Sequence, residues 1–370
     1  MSTTHRRIAQ MEPWFDEKEA DALSAYMRSG GWVTEFKKTE EFEECICQFT
    51  GSRYCAIVNN GTVALSVALL ALEVSPGDEV IVPDLSMIAT ANCAKMIGAK
   101  PVFVDVEPQT LCLDLDRVAE AVTPRTKAVI HVSFNGRAND LERLKAWCRS
   151  RGIGLLEDAA QSLGSYSGGH HLGTVGDLGT FSFSAPKIIT TGQGGAVITQ
   201  DSKLAERVRR IKDFGRQQGG VDIHDTIGFN FKFTDIQAVI GIEQMKKLPS
   251  RVDRKKAIYD RYRRQLAGLS DIEWIETDLK TTTPWFIDIF TDAPEKLLAF
   301  LKVKGIGSRR IYPPIHSQKA YDRDGFYPVT ERYSTRGLWL PSSAFLSDED
   351  IDYTCAAVRE FFEVKKERHS

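Results

Sequence analysis

Apolar residues fall into two rhythms along the chain. From residue 54 to about 200, short runs rich in β-branched residues recur at YCAIVNN, DEVIVPD, KPVFVDV, KAVIHVSF and IGLLEDAA. Between them lie segments of helical composition: TVALSVALLALE, ATANCAKMIGA, LDRVAEAVT and ANDLERLKAWCRSRG. The runs begin roughly 20 to 30 residues apart, the beat of βαβ units and a mostly parallel sheet. They are almost wholly apolar, as strands are when helices cover both faces of their sheet. The texture then changes. GTFSFSA and GGAVITQ read as consecutive strands with a short connection, and the amphipathic helix SKLAERVRRIKDFG follows, ended by a glycine.

The last third has a different pattern. Strands at WFIDIFTD and GSRRIYPP alternate with helices at PEKLLAFLKVKG and SDEDIDYTCAAVREFFEVKK. This predicts a large domain over residues 1–250 and a smaller α+β domain over 251–370. The basic stretch SRVDRKKAIYDRYRRQLAGL reads as a solvated helix linking the two, since charge runs usually lie in water.

Composition narrows the function classes. The 370 residues carry a net charge of −2, so nothing in the electrostatics calls for nucleic acid or an anionic membrane. Seven cysteines at irregular spacing, with no C-x-x-C pair, argue against a disulfide framework or a structural zinc site. The longest apolar stretch, ALSVALLALEV, is too short to span a bilayer, and the N-terminus has no apolar core of signal-peptide length. A cytoplasmic protein without bound metal is expected.

Ligands of open α/β sheets bind at the carboxyl ends of strands. Three groups stand there. Asn59-Asn60-Gly61-Thr62 follows a strand and opens a helix, which suits either a phosphate or a plain N-cap with a tight turn. Asp158 ends a long apolar strand, where a carboxylate is costly unless paired, and Gln161 lies one turn on. Glu157 points to the opposite face. Lys187 sits between two apolar strands, five residues after Ser182 and five before the turn GQGG. Burial lowers a lysine's pKa and makes the amine a nucleophile. The GQGG turn lacks the K-[ST] of a phosphate loop, and no G-x-G-x-x-G opens a helix, so nucleoside triphosphate and dinucleotide readings are set aside. A phosphate cradle, a buried carboxylate and a reactive lysine together meet the needs of pyridoxal phosphate.

The order of these motifs resembles the DegT/StrS-type sugar aminotransferases, pyridoxal-phosphate enzymes of fold-type I. The resemblance covers nearly the whole chain and rests on NNGTVALSVALLAL, SPGDEVIVPD, ATANCAKMIGAKPVFVDVEP, LLEDAAQSLGS, GTFSFSAPKIITTGQGGAVIT, GFNFKFTDIQAVIGIEQM and YPPIHSQKAY. It implies an α/β fold with a large, mostly parallel sheet and a smaller C-terminal α+β domain. Lys187 would be the Schiff-base lysine and proton shuttle. Asp158 would pair the pyridine nitrogen, and Gln161 would touch the ring hydroxyl. Gly61, Thr62, Val63 and Ser182 would bind the phosphate, and Asn230 would reach the phosphate of a neighbouring subunit in a homodimer with composite sites.

Three places depart from the family's usual pattern. Asn60-Gly61-Thr62 stands where relatives often write SGT. Met87 takes the place of an aromatic that stacks on the cofactor ring. Ser133 and Asn135 replace a common His and Tyr on the substrate side, where Arg309 matches a small-domain arginine near the substrate pocket. Some relatives replace the lysine with His and become sugar 3-dehydratases; this chain keeps Lys187, which favours transamination. His131, His170 and His171 read as loop or core residues.

The expected reaction moves the amino group of L-glutamate to a keto-sugar nucleotide. The NGTVAL opening and the lysine region resemble enzymes of the perosamine-synthase type. That implies a 4-keto-6-deoxyhexose such as GDP-4-keto-6-deoxymannose and a role in O-antigen or other surface-glycan synthesis. The alternative acceptor is a 3-keto sugar nucleotide or a keto-cyclitol. A non-catalytic binding protein on the same fold would have lost the lysine, the carboxylate or the cradle, and all three are present.

Overall fold

The computed structural model describes residues 7–321 and 324–367. Helices α1 (Glu17–Arg28) and α2 (Lys37–Thr50) precede strand β1 (Tyr54–Val58). Strand and helix then alternate through α3 (Gly61–Ala71), β2 (Glu79–Pro83), α4 (Ala89–Met96), β3 (Lys100–Val104), α5 (Leu115–Ala121), β4 (Thr126–Val132), α6 (Leu141–Arg149) and β5 (Gly154–Asp158). A small ribbon, β6 (Tyr166–Ser167) with β7 (His170–His171), leads to β8 (Leu178–Ser182), β9 (Gly195–Thr199), α7 (Ser202–Lys212) and α8 (Asp235–Gln265). The C-terminal part holds β10 (Ile287–Phe290), α9 (Pro294–Val303), β11 (Arg309–Arg310), α10 (Pro328–Arg336), β12 (Gly337–Leu340) and α11 (Asp348–Glu367).

Seven strands form one sheet in the order β1-β9-β8-β5-β4-β2-β3. The pairs from β8 across to β3 are parallel, and β9 alone runs against its two neighbours, β1 and β8. Each apolar run from YCAIVNN to IGLLEDAA becomes a strand of this sheet. Helix α3 is apolar on nearly every side and buried along almost its whole length. Such a helix needs cover all round, and it finds it between the sheet and helices α4 and α7. Its N-terminus is thereby pinned beside the ends of β1 and β8.

The C-terminal sheet runs β10-β12-β11, with β12 in the middle. Its apolar cluster includes Ile8 from the start of the chain, whose backbone pairs with Gly305 and Gly307.

The basic stretch after residue 250 is not a solvated linker. It is the second half of the 31-residue helix α8, which runs unbroken through Pro249. Arg251 and Lys255 are 2% and 1% exposed. Arg251 donates to the carbonyls of Ile188 and Trp14, and Lys255 donates to those of Trp285 and Ser342. The outer arginines, Arg254 and Arg261, pair with Asp348 and Asp352 on α11. The inward-facing basic groups are therefore met by the fold rather than by water, while Arg264 stays exposed. Among the described residues no helix is long and apolar enough to cross a membrane.

Candidate active site

The carboxyl ends of the parallel strands open into a cleft of about 280 Å³. Gly61, Thr62, Met87, Asp158, Gln161, Ser182 and Lys187 line it, so seven positions singled out in the sequence stand together.

The turn from β1 into α3 forms one wall. The Asn60 side chain caps α3 by accepting from Val63 N at 2.9 Å. This leaves the N–H groups of Gly61 and Thr62 at the helix start, where the dipole is positive. The turn is packed backbone on backbone. A Cβ on Gly61 would lie 2.8 Å from Ser182 Cβ, and one on Gly195 would lie 2.5 Å from the Asn60 carbonyl. The glycine pair that closes GQGG, Gly194-Gly195, therefore lets β9 pass close behind the turn. Val63 does not join the cradle: its N–H is taken by Asn60 and its side chain is buried in the core.

Asp158 ends β5 and is 6% exposed. Burial raises its pKa. Thr90 and the Lys187 amine oppose that shift, as does the Ala160 N–H. Thr90 Oγ1 donates to one oxygen at 2.8 Å, and Ala160 N donates to the other at 3.2 Å. Glu157 faces away, as the strand's alternation requires, and accepts from the backbone of Gly173 and Gly176.

Lys187 stands in the connection between β8 and β9. Its pKa falls to about 8; desolvation is the main cause, Arg309 adds to it, and Asp158 opposes it. Its Nζ lies 4.0 Å from the centre of the Trp285 ring. At neutral pH a useful fraction of the amine is uncharged and nucleophilic.

Gln161 accepts from Asn135 N through Oε1 at 2.8 Å. A backbone N–H must face an acceptor, so the amide NH₂ is the end turned toward the cleft. Asn135 itself does not line the cleft. It is 1% exposed, has φ of 56°, and exchanges two hydrogen bonds with the backbone of Phe286, at 2.6 and 2.7 Å. Its amide fixes the backbone just ahead of β10. Ser133 is also off the cleft wall, wholly buried, with a hydroxyl that has no partner among the described residues. Arg309 lies outside the cleft lining but acts on Lys187 electrostatically. Its guanidinium sits over Trp339, Phe286 and Tyr312, at 4.6, 5.4 and 5.8 Å from the ring centres, and no carboxylate among the described residues pairs with it. Met87 is at the cleft mouth, 46% exposed. Asn230 is exposed on the loop after α7, away from this cleft. His131 and His171 are buried and held neutral, each with its pKa lowered to about 4 by desolvation.

Thr90, Ser184, Gln193 and Trp285 also shape the site without having been singled out. Thr90 carried a signal, since ATAN opens the helix that follows a strand end. Trp285 carried none: its contact with the lysine segment spans 99 residues of sequence.

The donor set fits pyridoxal phosphate. It offers free N–H groups at a helix start, a buried carboxylate, a desolvated amine, and glycines whose Cβ would close the approach. Comparison with known proteins agrees. The model of the DegT/DnrJ/EryC1/StrS aminotransferase family matches residues 13–359. The chain belongs to this family.

It is an aminotransferase of the family, with the α/β architecture of fold-type I and pyridoxal 5′-phosphate as cofactor. The chain is 34% identical to the GDP-perosamine synthase of Escherichia coli O157:H7, covering 97% of this chain and 99% of that one. It is 32% identical to the GDP-perosamine synthase of Vibrio cholerae, covering 96% and 99%. Among solved structures, the aminotransferase TlmJ from Streptoalloteichus hindustanus superposes with a TM-score of 0.92 at 32% identity, covering 97% of this chain and all of that one. Spr1654 from Streptococcus pneumoniae, in its PLP form, superposes at 0.88 with 29% identity, covering 95% and 98%.

Proposed function

We propose that this aminotransferase moves the amino group of L-glutamate to a keto-sugar nucleotide, GDP-4-keto-6-deoxymannose, in surface-glycan (O-antigen) synthesis in the cytoplasm. The observation that carries the reading is full-length similarity to GDP-perosamine synthases of three organisms, at 32–34% identity. The 3-keto and cyclitol acceptors draw no comparable support from these relatives.

Bound in the cleft, pyridoxal phosphate supplies an aldehyde that takes up and passes on an amino group, and a ring that stores electrons. The chain's own residues do the rest. The Gly61 and Thr62 N–H groups and the Ser182 hydroxyl hold the phosphate. Asp158, kept acceptor-only when ionised, holds a proton on the ring nitrogen. The Gln161 NH₂ donates to the ring hydroxyl. Met87 packs on the ring with its thioether. Lys187 moves a proton between neighbouring carbons; a pKa near 8 lets it both accept and release that proton.

The active form is a homodimer in this reading. Asn230 stands among exposed apolar side chains, Ile223, Ile227 and Phe229, and a second copy covering them would bring Asn230 toward its phosphate. Arg309 lies on the substrate side.

The test uses purified protein with pyridoxal phosphate, L-glutamate and GDP-4-keto-6-deoxymannose. The expected result is 2-oxoglutarate and an aminated sugar nucleotide in equal amounts. Release of 2-oxoglutarate only with a 3-keto sugar nucleotide would overturn the acceptor. No 2-oxoglutarate with any keto sugar would overturn the donor.

A further inference from the structure

Trp285 meets the lysine segment twice. Its indole N–H donates to the carbonyl of Pro186 at 2.8 Å, immediately before Lys187. Its ring face lies 4.0 Å from the Lys187 amine. The same residue therefore fixes both ends of the lysine, the backbone and the reactive nitrogen.

The indole is itself held from behind. It is 4% exposed and stacks on Phe286 with ring centres 3.8 Å apart, while Trp339 meets it edge-on at 5.9 Å. The main-chain carbonyl of Trp285 accepts from the buried amine of Lys255, which also donates to the carbonyl of Ser342. The Asn135 amide pins the next residue, Phe286, through both backbone groups.

An indole differs from an ordinary apolar wall. Any apolar wall desolvates the amine and favours its neutral form. An aromatic face also attracts the ammonium, and indole does so best. The ring thus accommodates the two states a proton-carrying lysine must pass between. We propose that Trp285 is the positioning residue for Lys187: its N–H fixes the chain ahead of the lysine, and its ring seats the amine whenever it is free. This rests on the reading of Lys187 as the amine that carries the reaction. The charged groups acting on that amine are Asp158 from β5 and Arg309 from β11, and both stay in place in the test.

Two variants separate positioning from packing. Trp285→Phe keeps a ring but loses the N–H and weakens the attraction for the ammonium. Trp285→Leu removes the ring. In cofactor-free protein, modification of Lys187 by an amine-directed reagent is followed against pH by peptide mass spectrometry. The midpoint in Trp285→Phe is expected to fall by about half a unit or more. In the loaded enzyme, kcat is expected to fall about tenfold in Trp285→Phe and further in Trp285→Leu, with the KM for L-glutamate within about threefold of its original value. An unchanged midpoint with a lowered melting temperature would assign Trp285 to packing and overturn the proposal, as would an unchanged kcat. Should Trp285→Leu fail to fold, Trp285→Phe carries the test alone. The labelling midpoint needs no cofactor, so a failure of the transamination reading shows separately in the unaltered protein.

Discussion

Thr90 on α4 donates its hydroxyl to the Asp158 carboxylate across 2.8 Å. A hydroxyl has one proton to give, so the Ser86 hydroxyl, 2.8 Å from Thr90, must in turn donate to Thr90. The relay runs Ser86 to Thr90 to Asp158 and favours the charged carboxylate that burial disfavours. Thr90→Val ends it. The Asp158 pKa should then rise further, by about 1 unit, given the worth of a hydrogen bond to a charged group. The acid limb of the kcat/KM profile should move to higher pH by that amount, while Thr90→Ser should leave it in place. A pH-rate profile decides.

Lys187 imposes a stability cost. Its pKa is about 8 in the fold against 10.5 when free. Below pH 8 the fold carries a buried charge that the unfolded chain solvates without penalty. That cost fades as pH climbs from 8 to 10.5, because the folded state has then already released the proton. Lys187→Met should abolish turnover yet stabilise cofactor-free protein at pH 7, by about 3 kcal/mol at most. Urea denaturation should show the gain shrinking as pH rises from 8 to 10.5.

Asn135 tests whether a buried amide near the cleft serves substrate or structure. Asn135→Ala leaves the Phe286 N–H and carbonyl unpaired and forces alanine to a φ of 56°. A loss of about 2–4 kcal/mol in unfolding free energy is expected. The KM for the sugar nucleotide should barely change. A large KM effect at unchanged stability would return Asn135 to the substrate side.

Cys47 should be the most reactive thiol. It is half-buried, and its pKa falls to about 7 because the Cys55 thiol donates to it, helped by Ser52. Cys55, Cys93, Cys112 and Cys148 are buried with raised pKa values. Thiol titration with a chromogenic disulfide should find one fast group whose rate rises through about pH 7. Cys55→Ala should shift that midpoint upward.

The chemistry was legible wherever it sat at the end of a parallel strand. Asp158 closes β5 and Ser182 closes β8, and an apolar run that stops at a polar residue announces both. Lys187 was legible because an amine between two buried strands has few other uses. Contacts made across long sequence separations were not legible. Asn135 and Phe286 are 151 residues apart, and nothing local in SFNGR foretells a clamp on the segment that leads into β10. Strand β12 was missed because GLWL is short and runs into proline, though it forms the centre of its sheet. The basic half of α8 misled because composition reports charge and not its partner. Arg251 and Lys255 bury their guanidinium and amine against main-chain carbonyls, a solution no charge pattern displays.

Helix α8 also constrains how the protein can be divided. Its first half packs against α1 and α2, and its second half carries the tie to Trp285, Ser342 and α11. A chain cut at residue 250 would part Gln244 from Arg251, whose side chains hydrogen-bond across that point. One fragment would end in a frayed helix, and the other would begin with Arg251 bared of the Ile188 and Trp14 carbonyls. Within α8, position 250 is a join held by side chains rather than a free hinge.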